Sequence, residues 1–233
     1  MPGNNSPRQL PLALSVAEGR TRDDLVVTDA NREAIELIDR WPEWPSPVVV
    51  LAGPAGAGKS HIGSVWADFS GAAKLDRSKI GDDAIQLAES GSVFLDAADS
   101  GGLDETGLFH AINAVRQNGT RMLVAARRFP LAWGVRLPDL SSRLKAAATV
   151  EIREPDDELL AGVITKLFAD RQVEVEPHVV QFLVRRIERS LATAISVVEK
   201  LDRMALEQKS RITRGMAADV VSALDQGQGE FNL

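Results

Sequence analysis

The 233-residue sequence contains no cysteine. Structural disulfides, thiolate metal sites and thiol nucleophiles are therefore excluded together, and such a chain suits a reducing cytoplasm. Long apolar runs are also missing. The opening Met1-Pro2-Gly3-Asn4-Asn5-Ser6-Pro7-Arg8 offers no signal h-region, and no later segment approaches the length of a membrane span. A soluble, cytoplasmic protein with no membrane partner is expected. Positive charge is not in excess: the formal net charge is -6, so no global field draws the chain onto phosphate backbones. The three histidines, His61, His110 and His178, are scattered without metal-ligand spacing. There is no internal repeat and no low-complexity tract.

What is present is an ordinary globular composition, 44% apolar and 26% charged. The length allows one main domain with a smaller one appended. Residues 1–22 are polar apart from Gln9-Leu10-Pro11-Leu12-Ala13-Leu14 and are expected to be a flexible tail. Asp29–Arg40 reads as a capped helix with Ile35 and Ile38 on its apolar side and Pro42 ending it. Strands and helices then alternate. The runs 48–52, 72–75, 92–96 and 122–126 read as strands, with Ala148, Val150 and Ile152 supplying a fifth. Leu108, Ala111, Ile112 and Val115 recur at helical spacing before Asn118-Gly119. The expected fold is α/β, with a five-stranded parallel sheet over residues 23–154. From 155 to 226 only helical stripes remain, such as Leu159, Leu160, Val163, Ile164 and Leu167, so a small all-helical lid domain should follow, with 227–233 as a second tail.

The chemistry is concentrated in Gly53-Pro54-Ala55-Gly56-Ala57-Gly58-Lys59-Ser60, which matches G-x-x-x-x-G-K-[ST] at every fixed position. It lies after a buried strand and before a helix, where glycines let the backbone approach a phosphate and successive amides point at it. Lys59 can neutralise the outer phosphates, and the Ser60 hydroxyl can ligate magnesium. Hydrolysis further requires a carboxylate at the end of a neighbouring strand, and Asp96 is the natural one. The next residue is Ala97, which cannot polarise a water, and Asp99 is expected to form a turn with Ser100-Gly101-Gly102. The parts that bind nucleotide are kept, and one that would hydrolyse it is lost.

A P-loop in a five-stranded parallel sheet followed by a helical lid resembles the AAA+ proteins. Within them, Leu137-Pro138-Asp139-Leu140-Ser141-Ser142-Arg143-Leu144, the stretch Asp24-Leu25-Val26-Val27 and the lid segment Arg189–Asp202 are similar to the DnaA-related family, and especially to its shortened Hda-like group. That resemblance covers about residues 22–226. It implies nucleotide contacts from Val26, Val27, the P-loop, His61 and Asp96, with Mg2+ held by Ser60 and Asp96. It also implies that Arg143 is an arginine presented in trans to the nucleotide of a neighbouring DnaA. Gln9, Leu10, Pro11, Leu12, Ala13 and Leu14 resemble the peptide that docks on the sliding clamp, the beta subunit of DNA polymerase III. Two positions depart from the pattern. Ala125-Ala126-Arg127-Arg128 stands where relatives carry a polar sensor, and Ala192 stands where the lid usually supplies an arginine, with Arg189 one turn earlier as a substitute.

These departures point to bound ADP, rather than ATP, at rest and to weak or no intrinsic hydrolysis. The expectation is a regulator of replication initiation that binds ADP, docks on the DNA-loaded clamp and stimulates hydrolysis of DnaA-bound ATP; homodimerisation through the tail is compatible with it. The alternative is an ATP-hydrolysing AAA+ loader or motor acting on a replication helicase or clamp. A DnaA-like initiator is expected to continue into a basic helix-turn-helix domain, whereas this sequence ends at Leu233 with an acidic balance, so it is not expected to read specific DNA sequences. The lid's Arg185, Arg186, Arg189, Lys200, Arg203, Arg211 and Arg214 alternate with acids and read better as a solvated helix surface than as a DNA-binding face.

Overall fold

The computed structural model describes residues 21–229. In chain order the regular elements are α1 (Arg32–Asp39), β1 (Val48–Ala52), α2 (Lys59–Ser70), β2 (Ala73–Leu75), α3 (Asp82–Ser90), β3 (Val93–Leu95), α4 (Glu105–Asn118), β4 (Met122–Ala126), α5 (Pro138–Lys145) and β5 (Ala148–Glu151). Four lid helices follow: α6 (Asp157–Asp170), α7 (Pro177–Val184), α8 (Leu191–Gln208) and α9 (Arg214–Gly229). All five strands are parallel, in the order β2-β3-β4-β1-β5.

Strand β1 is apolar throughout because both its faces are covered. Val48 and Val50 point to one side and pack with Val93, Leu95, Met122 and Val124 beneath α3, α4 and α5. Val49 and Leu51 point to the other side and join Phe94, Leu123 and Ala125 beneath α1 and α2. The period-2 geometry of a strand thus divides one apolar run between two cores. The lid has a third, separate core built from α6 to α9.

β1 lies between β4 and β5, so the chain leaves it toward one edge of the sheet and returns on its other side. A crevice opens at the carboxyl ends of the strands where the winding reverses, which is where open α/β sheets hold ligands. The loop 53–58 leaves β1 at that place.

Three elements differ from the sequence expectation. Helix α1 starts at Arg32 rather than Asp29, because Asn31 turns its side chain back onto the incoming segment. Its Oδ1 accepts from the Thr28 amide (2.9 Å) and its Nδ2 donates to the Val26 carbonyl (2.8 Å). Such local side-chain bonds hold the backbone in a turn at the expense of helix. Helix α3 has only Ala88 fully buried, so its apolar stripe is too thin to stand out in sequence. At the far end, α9 runs to Gly229, into the segment expected as a tail from 227; once a helix is nucleated on a buried stripe, further turns extend it at little cost.

Trp66 is fully buried on α2 and stacks on Trp44, with ring centroids 5.1 Å apart. Its indole N–H has no hydrogen-bond partner among the described residues, so its contribution is packing. Trp66→Ala should lower stability by about 3–5 kcal/mol in denaturant unfolding. Trp66→Phe should cost clearly less, and equal losses for the two variants would contradict this assignment.

Candidate functional site

The phosphate loop connects β1 to α2 through two glycines with left-handed backbone, Gly56 at φ 73° and Gly58 at φ 93°. Other residues rarely adopt that region. Gly56 also lies against the lid: a Cβ there would strike the Ser190 side chain, and the Gly56 carbonyl accepts a 2.8 Å hydrogen bond from the Leu191 amide. Ser190 caps α8 by accepting from the Thr193 amide, so the start of that helix is fixed at its contact with the loop.

Lys59 is one of three buried polar residues among those described. Its Nζ donates to the carbonyls of Gly53 (2.8 Å) and Pro54 (2.6 Å), which aim the ammonium over the loop. Burial lowers its pKa, and the charge of Arg127 lowers it further, against the opposing pull of Asp96 and Asp99. The Ser60 hydroxyl donates to Asp96 Oδ1 at 3.0 Å. A hydroxyl and a carboxylate at that spacing, with the hydroxyl on the residue next to the buried lysine, form a donor set suited to magnesium and phosphate oxygens. Ala97 sits at φ 51°, a conformation costing about 1–2 kcal/mol for a residue with a Cβ, and its amide donates to Asp96 Oδ1 (2.8 Å). The turn thereby directs the Asp96 carboxylate toward the loop.

A cavity of about 340 Å³ runs from Gly56–Ile62 into the lid. Leu25, Val26, Leu159, Val163, Leu167, Leu191 and Ile195 supply its apolar wall, and Asp24, Lys166 and Asp170 its rim. An apolar slot with a charged rim beside a phosphate loop has the chemistry to take a flat heterocycle and its phosphates together. Lys166 Nζ bridges Asp24 (2.9 Å) and Asp170 (2.8 Å), and Thr28 Oγ1 donates to Asp156, the cap of α6 (3.0 Å). These bonds tie the N-terminal segment to the lid.

The residues expected from sequence divide into groups. Val26, Gly56, Ala57, Gly58, Lys59, Ser60 and His61 line the cavity. Gly53 and Pro54 contribute carbonyls to Lys59, Asp96 joins Ser60, and Ala55 lies on the loop's exposed side. Val27 does not line the cavity and is 37% exposed, because the segment is extended and Val26 takes the inward position. Arg189 is drawn away: its guanidinium donates to the Pro155 carbonyl (3.2 Å) and pairs with Asp157 (2.8 Å). The substitution expected for it is therefore not made in this structure, and Ala192 faces the cavity without a charge.

Asp99 was expected only as a turn residue. Its carboxylate instead accepts from the amides of Arg127 (2.9 Å) and Arg128 (3.1 Å) and pairs with the Arg128 guanidinium. Burial opposes its charge, but these donors prevail and lower its pKa. They hold the exit of β4 beside the loop and bring Arg127 within electrostatic range of Lys59, a relation no short-range pattern announces. Arg143 lies in the last turn of α5, partly exposed, outside the cavity lining and without an ion pair among the described residues. Gln9, Leu10, Pro11, Leu12, Ala13 and Leu14 lie outside the described residues. Among those that are described, no helix is long and apolar enough to cross a membrane, and no cluster of metal-ligating side chains of the His/Cys/Asp/Glu type occurs.

Residues 158–217 match the model of the family described as Hda, lid domain. The chain is similar in fold to domain III of the Thermotoga maritima replication initiation protein DnaA, with TM-score 0.74 and 17% identity over 88% of this chain and 96% of that one. AMPPCP-bound DnaA from Aquifex aeolicus gives TM-score 0.63 and 19% identity over 80% of this chain and 65% of that one. The Thermotoga maritima RuvB Holliday junction branch migration motor gives TM-score 0.67 and 18% identity over 90% and 73%. These likenesses establish the AAA+ fold. An uncharacterized protein of Haemophilus influenzae is 27% identical over 110 residues, 47% of this chain and about half (48%) of that protein's length.

The rim yields a pH prediction. The Asp24 carboxyl is held well below the usual carboxylate range, first by the Thr21 hydroxyl and then by the Lys166 ammonium. A depressed carboxyl contributes stability that is complete above its ordinary pKa of about 4 and is lost as pH falls toward its folded value. Asp24→Asn should therefore melt about 1–3 °C below the unsubstituted protein at pH 7. The gap should narrow below about pH 4. A gap that stays constant into acid would show that the charge of Asp24 does not stabilise the fold.

Proposed function

We propose that this chain, whose residues 158–217 match the Hda lid-domain family and whose fold is similar to that of DnaA domain III, holds an adenine nucleotide in the cavity, ADP at rest, and that its occupancy fixes the form in which the chain acts on a partner ATPase. The observation that carries this reading is the combination of a phosphate loop with Lys59 and the Ser60–Asp96 pair and, at the start of α8 beside that loop, Ala192 rather than an arginine facing the cavity. Lys59 neutralises the outer phosphates, Ser60 and Asp96 hold Mg2+ directly or through water, and the slot around Val26, Leu159 and Ile195 takes the base. With Ala97 beside Asp96 and Arg189 held by Asp157, neither of these positions supplies a side chain to orient an attacking water or to stabilise charge on a transferring phosphate. The site is suited to retention.

The partner in this reading is ATP-bound DnaA, met in the cytoplasm on the DNA-loaded sliding clamp, with Gln9–Leu14 as the clamp-docking peptide. What supports Arg143 as the group that acts there is its partial exposure, its freedom from ion pairing among the described residues and its place away from the chain's own cavity. A planar guanidinium offered in trans stabilises charge on a transferring phosphoryl group and contributes about 10³–10⁵ in rate where it operates. The loader or motor reading draws on the Ser60–Asp96 pair, which a hydrolysing site also needs.

Arg143→Ala tests the central step. The variant should keep its melting temperature and its ADP affinity, while stimulation of hydrolysis on DnaA falls by about 10³-fold or to background. Stimulation retained by a folded variant would remove Arg143 from the role.

A further inference from the structure

The basic residues of the lid do not form one uniform solvated surface. Arg189 is paired with Asp157, whereas Arg185, Arg186 and Arg214 converge with His178, Gln181 and Phe182 on a cleft of about 320 Å³. His178, Gln181, Phe182, Arg185 and Arg186 follow i, i+3, i+4, i+7, i+8 spacing, which places them on one face of α7 and the turn after it. Arg214 opens α9 beside them. The guanidinium carbons of Arg186 and Arg214 lie 5.8 and 5.2 Å from the Phe182 ring centroid. No acid lines the cleft, and none of its three arginines has an ion pair among the described residues.

What sets these arginines apart is their convergence on one ring with no acid beside them. The chain carries a net charge of -6, so a local gathering of positive charge stands against the overall balance. Gathering unneutralised guanidiniums around one ring raises their mutual repulsion, which a bound oxyanion relieves. We propose that this cleft is an anion site of the lid, distinct from the phosphate-loop cavity, and that it takes the sugar-phosphate backbone of a nucleic-acid strand. Guanidinium forks pair bidentately with phosphate oxygens, and a half-exposed aromatic ring beside them can stack a base. An acidic peptide would also bring apolar side chains, but the cleft offers no aliphatic residue to receive them. Contacts of this kind position a strand without reading its sequence.

The test is fluorescence anisotropy of the full chain with a labelled mixed-sequence oligodeoxynucleotide, single-stranded in one arm and duplex in the other. Binding should appear in at least one arm and weaken as salt rises. Arg186→Glu with Arg214→Glu should reduce affinity at least about tenfold and flatten the log–log salt slope by about 1.4 for a single strand. ADP affinity and melting temperature should stay unchanged. Arg186→Gln with Arg214→Gln, which keeps the stems over Phe182, should weaken binding in the same direction and covers the case in which charge reversal disturbs the fold. Absence of binding in both arms at low salt, or equal affinity for variant and unsubstituted protein, would overturn the proposal. So would displacement by poly-glutamate as effective as by oligonucleotide of equal charge, which would assign the cleft to an acidic protein.

Discussion

One backbone hydrogen bond, from the amide of Leu191 to the carbonyl of Gly56, joins the first turn of α8 to the phosphate loop. Base and lid have separate hydrophobic cores, so their relation depends on a short set of contacts. Apart from the Gly56 clasp these include Gly58 against Leu191, Val26 against Gly162, the Lys166 bridge to Asp24 and the Thr28 bond to Asp156. Each net hydrogen bond contributes only about 0.5–1.5 kcal/mol, so the junction is weak beside either core. The cavity lies inside this junction, and a ligand there contacts both parts at once. Binding energy is thereby coupled to lid position.

The clasp also explains why Gly56 must lack a side chain. The left-handed backbone turns the loop's carbonyl to the lid, and the missing Cβ lets Ser190 approach. On the other side of the loop, the positive φ of Ala97 presents Asp96 to Ser60. Strain at this turn accompanies a hydroxyl–carboxylate pair, a common association at ligand sites. The site therefore has a preorganised phosphate end, while the start of α8 beside it presents the uncharged Ala192 and the rim cation Lys166 is paired with Asp24 and Asp170. Binding can be strong in such a site while the chemistry of hydrolysis is poorly served.

Much of this was readable in the residues. Buried strands such as Val48–Ala52 and Met122–Ala126 are continuous apolar runs, and the phosphate loop has fixed spacing, so β1, β4 and the loop were legible. The pairing of Asp96 with Ser60 followed from the end of a strand. What was hidden depends on contacts distant in sequence. Asp99 engages residues 28 and 29 positions away, Arg189 reaches Pro155 34 positions back, and both fates follow from where loops cross. Helix α3 was hidden for a different reason, its single fully buried residue. The lid arginines fall between these cases: their spacing was visible, but the approach of Arg214 to the α7 face required the bundle to be packed.

The central claim is that the cavity retains nucleotide without turning it over. Its most direct measurement is to identify by chromatography the nucleotide released from freshly purified, acid-denatured protein, and to follow single-turnover hydrolysis of added ATP in parallel. The account predicts ADP at near one equivalent per chain. It also predicts that the protein shows no hydrolysis above that of a Lys59→Ala control. An empty site, or steady Lys59-dependent conversion of ATP, would contradict it.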